Sequence, residues 1–115
     1  MSGRIFLRIL FYKTRSGRLP AYEYVHGLPF DDVKNILGDL ELIKQHGIFN
    51  ASVDTRQLDG KLWEIKSGVG HQQRLFYCLC MGDALVILHA CKKQKTGSQQ
   101  QDVEIARKRM KEVLS

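Results

Sequence analysis

The chain has 115 residues, 43% of them hydrophobic, and carries a net charge of +6. That length suits a single domain (1–115) with a modest core, while the basic balance favours a polyanionic partner. Three cysteines without C-x-x-C spacing exclude a disulfide framework, and no apolar run has the length to span a bilayer, so the sequence reads as a cytoplasmic protein with no membrane contact.

Taken in chain order, the run from Ile5 to Tyr12 has only a superficial likeness to a signal sequence, because Arg8 breaks it. Its β-branched and aromatic content predicts a central strand buried on both faces. Lys13 to Gly17 turn the chain, and Arg15 and Arg18 make that loop basic. Pro20 to His26 is a short helix with proline in its first turn, ended by Gly27. Phe30 to His46 is the clearest helix. Pro29 suits its first position, Asp31 and Asp32 favour the positive end of the dipole, and Gly47 suits a left-handed cap. Phe30, Val33, Leu37, Leu40 and Ile43 form its predicted apolar stripe. His46 is explained by its place in the last turn. Asn50 to Asp59 is polar and reads as a connection.

Leu62 to Ser67 alternates as a strand, with Trp63 and Ile65 on one face and Glu64 and Lys66 on the other. Gly68 and Gly70 make Ser67 to His71 a mobile loop, and no helix follows to complete a dinucleotide fingerprint. Gln73 to Met81 and Ala84 to Cys91 are two further strands joined at Gly82-Asp83, a two-residue hairpin signal. Pairing Met81 with Ala84 sets Arg74 opposite Cys91. Thr96-Gly97-Ser98 is a turn, and Ser98 with Gln101 fits a capping box opening a last helix that runs to about Leu114. Val103, Ala106, Met110 and Val113 are its predicted inner face. The order of elements predicts an α+β fold: a small twisted antiparallel β-sheet with helices packed on one side.

The charge is uneven. Residues 1–18 carry five bases and no acid, residues 19–60 seven acids against three bases, and residues 61–115 ten bases against five acids. The predicted register gathers Lys66, Arg74, Lys92, Lys93 and Lys95 at one rim, with Glu64 and Tyr77 near by. RNA brings its own nucleophile, the 2′-hydroxyl. Cutting it without metal requires removing that proton, steadying the charge on phosphorus and protonating the leaving 5′-oxygen. Arginine grips a phosphate with a planar fork, and crowded ammonium groups give up protons more readily. Glu64 is a candidate base or a salt-bridge partner. Tyr77 is a candidate for stacking on a base, but strict alternation turns it from the Arg74 face unless a bulge intervenes; otherwise it is core. His89, expected beside Phe76, and His71 read as structural. Cys78, Cys80, His89 and Cys91 share a face, but short zinc-type spacings are missing, so neither metal nor cofactor is expected. No Gly-x-x-x-x-Gly-Lys loop or protease signature is present.

The ordered set Leu58-Asp59-Gly60-Lys61-Leu62-Trp63-Glu64-Ile65-Lys66, Arg74-Leu75-Phe76-Tyr77, Leu88-His89-Ala90-Cys91-Lys92-Lys93 and Glu104-Ile105-Ala106-Arg107 resembles the phage-derived HigB-like branch of the RelE-type toxins. Cys91 stands where phenylalanine is usual there, and Lys66 where arginine is. The resemblance implies a microbial RNase-like fold and a type II toxin that cuts mRNA on the ribosome without metal. It also implies a helix-turn-helix antitoxin as partner, with operator DNA reached only through that antitoxin. Arg74 falls on the family's phosphate-binding arginine, and Lys92 and Lys93 on its lysine pair. Glu64, Lys66 and Tyr77 complete the expected catalytic group, with Lys95, Lys61, Arg15, Arg18 and Lys13 as further RNA-binding candidates. Relatives of this fold that poison gyrase, and a phage-derived nucleic-acid-binding protein without catalysis, are the other readings.

Overall fold

The computed structural model describes residues 7–49, 52–94 and 99–115. Five strands form one sheet in the order β1-β5-β4-β3-β2. They are β1 (Arg8–Phe11), β2 (Asp54–Asp59), β3 (Leu62–Ser67), β4 (Gln73–Cys80) and β5 (Ala84–Lys92), with helices α1 (Pro20–His26), α2 (Phe30–His46) and α3 (Gln100–Leu114). The α+β class is as the sequence predicts. The sheet is mixed rather than wholly antiparallel, because β1 runs parallel to β5 while the other neighbours are antiparallel.

Strand alternation gives the sheet two apolar faces. Ile65, Leu75, Tyr77, Leu85 and Ile87 point to one face and pack with Ala21 and Val25 of α1 and Ile36, Leu40 and Ile43 of α2. Leu62, Phe76, Cys78, Val86 and Leu88 point to the other and pack with Ala106 of α3. The predicted one-sided packing thus describes α1 and α2, and α3 adds a second layer. Each fully buried aliphatic side chain contributes on the order of 1.5–3 kcal/mol. Val103, Met110 and Val113 flank Ala106 on the inner face of α3, as their spacing predicts.

Three elements depart from the sequence expectation. The Ile5–Tyr12 run, of which Ile5 and Phe6 lie outside the described residues, forms an edge strand with Leu10 43% exposed. It reads as central because Leu7, Ile9 and Phe11 pack against the α1/α2 face while Leu10 adds to the apolar run from outside. The supposed connection Asn50–Asp59 contains the opposite edge, β2. A one-faced edge strand needs few apolar residues, so its composition mimics a loop. On α2, Phe30 and Leu37 are exposed, and the buried line passes through Ile36, Leu40 and Ile43. Pro29 sits just outside that helix as its N-cap, and Gly47 ends it at φ 81° with its N–H donating to the Ile43 carbonyl. Ser98 and Lys95 lie outside the described residues, and the N-cap of α3 is Gln99.

The β3–β4 connection is tied to α2. It makes a 3₁₀ turn over Val69–His71. Gly68 N donates to Asn35 Oδ1 at 3.1 Å, Val69 N to Asp32 Oδ1 at 2.9 Å, and Ser67 Oγ to Asp39 Oδ2 at 2.5 Å. Gly68 has φ 82°, and a Cβ there would meet Gln73 Cγ at 2.7 Å and Asp32 Oδ1 at 3.1 Å. Gly68→Ala is therefore expected to lose about 2 kcal/mol, from left-handed strain and overpacking together, as read by urea unfolding.

Candidate functional site

The rim of the sheet is set by two register effects. The β4–β5 turn spans Met81, Gly82 and Asp83, because Cys80 pairs with Ala84 and Met81 and Gly82 take positive φ. That slips the pairing by one residue from a two-residue hairpin. A bulge between Phe76 and Tyr77, with Leu88 as the extra residue of β5, restores it, so Arg74 does lie opposite Cys91. On its other side Arg74 lies opposite Lys66, and Glu64 lies opposite Arg56 of β2.

These side chains line a cleft of about 590 Å³ on the α3 face of the sheet. Arg56 and Leu58 come from β2, Glu64 and Lys66 from β3, and Arg74 from β4. Lys93 and Gln94 follow β5, and Gln99, Gln100, Val103, Glu104 and Arg107 descend from α3. Five cationic side chains face two carboxylates, so the cleft attracts anions.

The floor is fixed before any ligand arrives. Glu64 is 4% exposed and Arg74 6%. Arg56 Nε donates to Glu64 Oε1 at 2.9 Å, and Arg74 Nε stands 3.8 Å from Oε2. Arg74 Nη1 donates to the carbonyls of His71 at 2.6 Å and Gln73 at 3.1 Å. The same loop holds the next cation, since Lys93 N donates to the Gln72 carbonyl at 2.7 Å. Both Glu64 oxygens thus face guanidinium groups, which suits an anchor that aims two arginines better than a free base. Arg107 bonds Glu104 at 2.6 Å and Asp59 at 2.9 Å, joining α3 to the end of β2.

Glu64, Lys66, Arg74 and Lys93, named from sequence, meet in this cleft. Lys92 does not line it. It is exposed on the next position of β5, opposite Gln73, where alternation turns it to the other face. Tyr77 does not line it either. The bulge falls on β5, so Tyr77 stays on the α1/α2 face, fully buried, with its ring stacked on Trp63 and its hydroxyl 2.8 Å from Thr55 Oγ1. Burial pushes that hydroxyl up to about 12, far from a proton donor at neutral pH. Tyr77→Phe is expected to cost about 1 kcal/mol in urea unfolding, the worth of one hydrogen bond, and to leave anion binding in the cleft unchanged.

Lys61 is exposed in the β2–β3 turn, and Lys13 borders a different cleft beside Arg8 and Leu10. Arg15 is exposed in the β1–α1 loop, and Arg18 there is ion-paired with Glu23. None of these four lines the Arg74 cleft. Sequence reasoning missed Arg56 and Arg107. Arg56 would have followed from extending β3's alternation one strand outwards, and Arg107 from its place beside the buried stripe of α3, four residues after Val103.

Among the described residues no helix is long and apolar enough to cross a membrane. No curated protein matches the chain. Residues 23–111, a span holding every residue of the cleft, match the family model described as phage-derived protein Gp49-like (DUF891).

Proposed function

The chain belongs to the phage-derived Gp49-like family, and from that membership together with the cationic cleft we propose that it is the toxin of a type II toxin–antitoxin pair. In this reading it is a metal-independent endoribonuclease that cuts mRNA on the ribosome, in the cytoplasm, and is neutralised by a helix-turn-helix antitoxin through which alone it reaches operator DNA. The observation that carries the reading is the meeting of Arg56, Lys66, Arg74 and Lys93 around one cleft, with buried Glu64 fixing the arginines.

The chemistry follows from those groups. An RNA phosphate enters the cleft, and Arg74, held by two backbone carbonyls, meets a non-bridging oxygen with Arg56 beside it. As the 2′-oxygen bonds to phosphorus, negative charge grows where these cations already point. Proton transfer falls to the two primary amines of the cleft, Lys66 and Lys93. One takes the 2′-hydroxyl proton and the other gives a proton to the 5′-oxygen as its bond to phosphorus breaks. The products are a 2′,3′-cyclic phosphate and a 5′-hydroxyl. Lys93→Ala is expected to slow cleavage by about 10²-fold or more, as loss of a general acid or base does, whereas Lys92→Ala stays within about threefold of the parent.

Ribosomes programmed with a short mRNA test the reading, run beside a DNA supercoiling assay. The expected result is a cut in the A-site codon with supercoiling unaffected. Inhibited supercoiling without a cut favours the gyrase-poison reading. Salt-sensitive RNA binding without either favours a non-catalytic binding protein.

A further inference from the structure

The α3 face holds a second convergence of side chains, on the β5 side of the helix and outside the cleft. His89 and Cys91 lie two apart on β5, so their side chains leave the strand on the same face. Asp102 reaches them from the first turn of α3. One ligand atom from each of the three lies within 4.8 Å of the others. His89 Nε2 is 2.8 Å from Asp102 Oδ1, and these two side chains are only 16% and 18% exposed. Gln99 closes the remaining side. Its Nε2 donates to Cys91 Sγ at 3.3 Å and lies 3.5 Å from both Asp102 Oδ2 and the Lys92 carbonyl. Three acceptors therefore converge on one donor nitrogen, and a half-turn of the amide puts its carbonyl oxygen there instead.

We propose that His89, Cys91 and Asp102 form a metal site that takes Zn²⁺, with the Gln99 amide oxygen or a water in the fourth position. The donor set selects the ion: a thiolate and an imidazole suit zinc, whereas calcium and magnesium take oxygen ligands. On binding, the Cys91 S–H bond breaks, a sulfur–zinc bond forms and the proton leaves to solvent. The resulting thiolate and the Asp102 carboxylate balance the charge of the ion. Zinc takes the Nε2 lone pair, which leaves the imidazole N–H on Nδ1. The Arg109 guanidinium opposes this, since its Nη1 is 3.5 Å from Nδ1 and is anchored to the Leu88 carbonyl at 2.9 Å. The ion would clasp the end of β5 to the first turn of α3, the elements from which Lys93 and Gln99 enter the cleft. The site does not depend on the ribonuclease reading.

The sequence lacked this grouping because Asp102 joins it only through the docking of α3. Titration of the full chain with Zn²⁺, and with Co²⁺ as a spectroscopic stand-in, tests it. One equivalent is expected to bind, with a thiolate-to-cobalt absorption band. Cys91→Ser is expected to remove that band and weaken zinc binding by more than the roughly 10–100-fold that changes around a metal's ligands cost. Cys80→Ser is expected to keep both, and Arg109→Gln to tighten binding. In the unaltered chain, bound zinc is expected to protect Cys91 from alkylation, a readout independent of whether the variants fold. Absence of a thiolate band, binding indifferent to Cys91→Ser or to Arg109→Gln, or unprotected Cys91 overturns the proposal.

Discussion

Arg74→Ala is expected to slow single-turnover mRNA cleavage by about 10³-fold, the loss that follows removal of a preorganised donor aimed at transition-state charge. The side chain is 6% exposed and its Nη1 is held by the His71 and Gln73 carbonyls, so its orientation is set before substrate binds. Arg74→Lys keeps the charge but loses the fork that reaches both a carbonyl and a phosphate oxygen, and it is expected to recover less than about tenfold of the loss. The fold is expected to survive either change, because Glu64 keeps its 2.9 Å bond from Arg56 Nε. Quench-flow cleavage, with urea unfolding of the same samples, separates the catalytic effect from a structural one.

Glu64→Ala is expected to have the opposite balance: a large loss of stability and tighter binding of RNA. Glu64 is 4% exposed and is the carboxylate between Arg56 and Arg74. Removing it leaves the buried guanidinium of Arg74 without its counter-charge, beside Lys66 and Lys93. Breaking a buried pair in this way costs about 3–5 kcal/mol, and the lower figure applies because the Arg56 side chain is 60% exposed and its charge is screened by solvent. Glu64→Gln keeps a hydrogen-bond acceptor for Arg56, and about half that cost is expected. In both variants the cleft has one negative charge fewer, so RNA affinity rises at low salt and falls more steeply as salt is added. If Glu64 were instead the base, Glu64→Gln would cut slowly with unchanged binding. Urea midpoints and salt-dependent binding isotherms distinguish the two roles.

What the sequence reveals here depends on how local the governing interaction is. The bounds of α1, α2 and β3 follow from proline, glycine and alternation, all read within a few residues, and they stand in the structure at Pro20–His26, Phe30–His46 and Leu62–Ser67. The partners of Arg74 were legible for a less direct reason. A three-residue turn shifts the hairpin one way, and the extra residue Leu88 shifts it back, so the simple count to Cys91 is correct beyond the bulge and wrong before it. Edge strands were misjudged at both ends of the sheet. Position at an edge depends on which strands pair, and that is not written in the composition of Arg8–Phe11 or Asp54–Asp59. The same limit hid Arg56. It becomes part of the cleft only because β2 pairs with β3 and sets it opposite Glu64. Tyr77 and Lys92 show the cost of reading a motif along the chain. Each neighbours a cleft-face position in sequence, Phe76 or Cys91, and one step along a strand is enough to turn a side chain through the sheet.

The central claim is that fixed guanidinium groups and two amines suffice to make the 2′-hydroxyl of RNA attack its own phosphate. The most direct measurement is the chemistry of the cut ends, made on programmed ribosomes in the magnesium that the ribosome needs, with a chelator selective for transition metals. A parallel mRNA carries a single 2′-deoxy nucleotide at the cut position. The account predicts a 2′,3′-cyclic phosphate and a 5′-hydroxyl from the all-ribose message and no cut in the deoxy one. A 5′-phosphate product, or cleavage that persists without the 2′-hydroxyl, would contradict it.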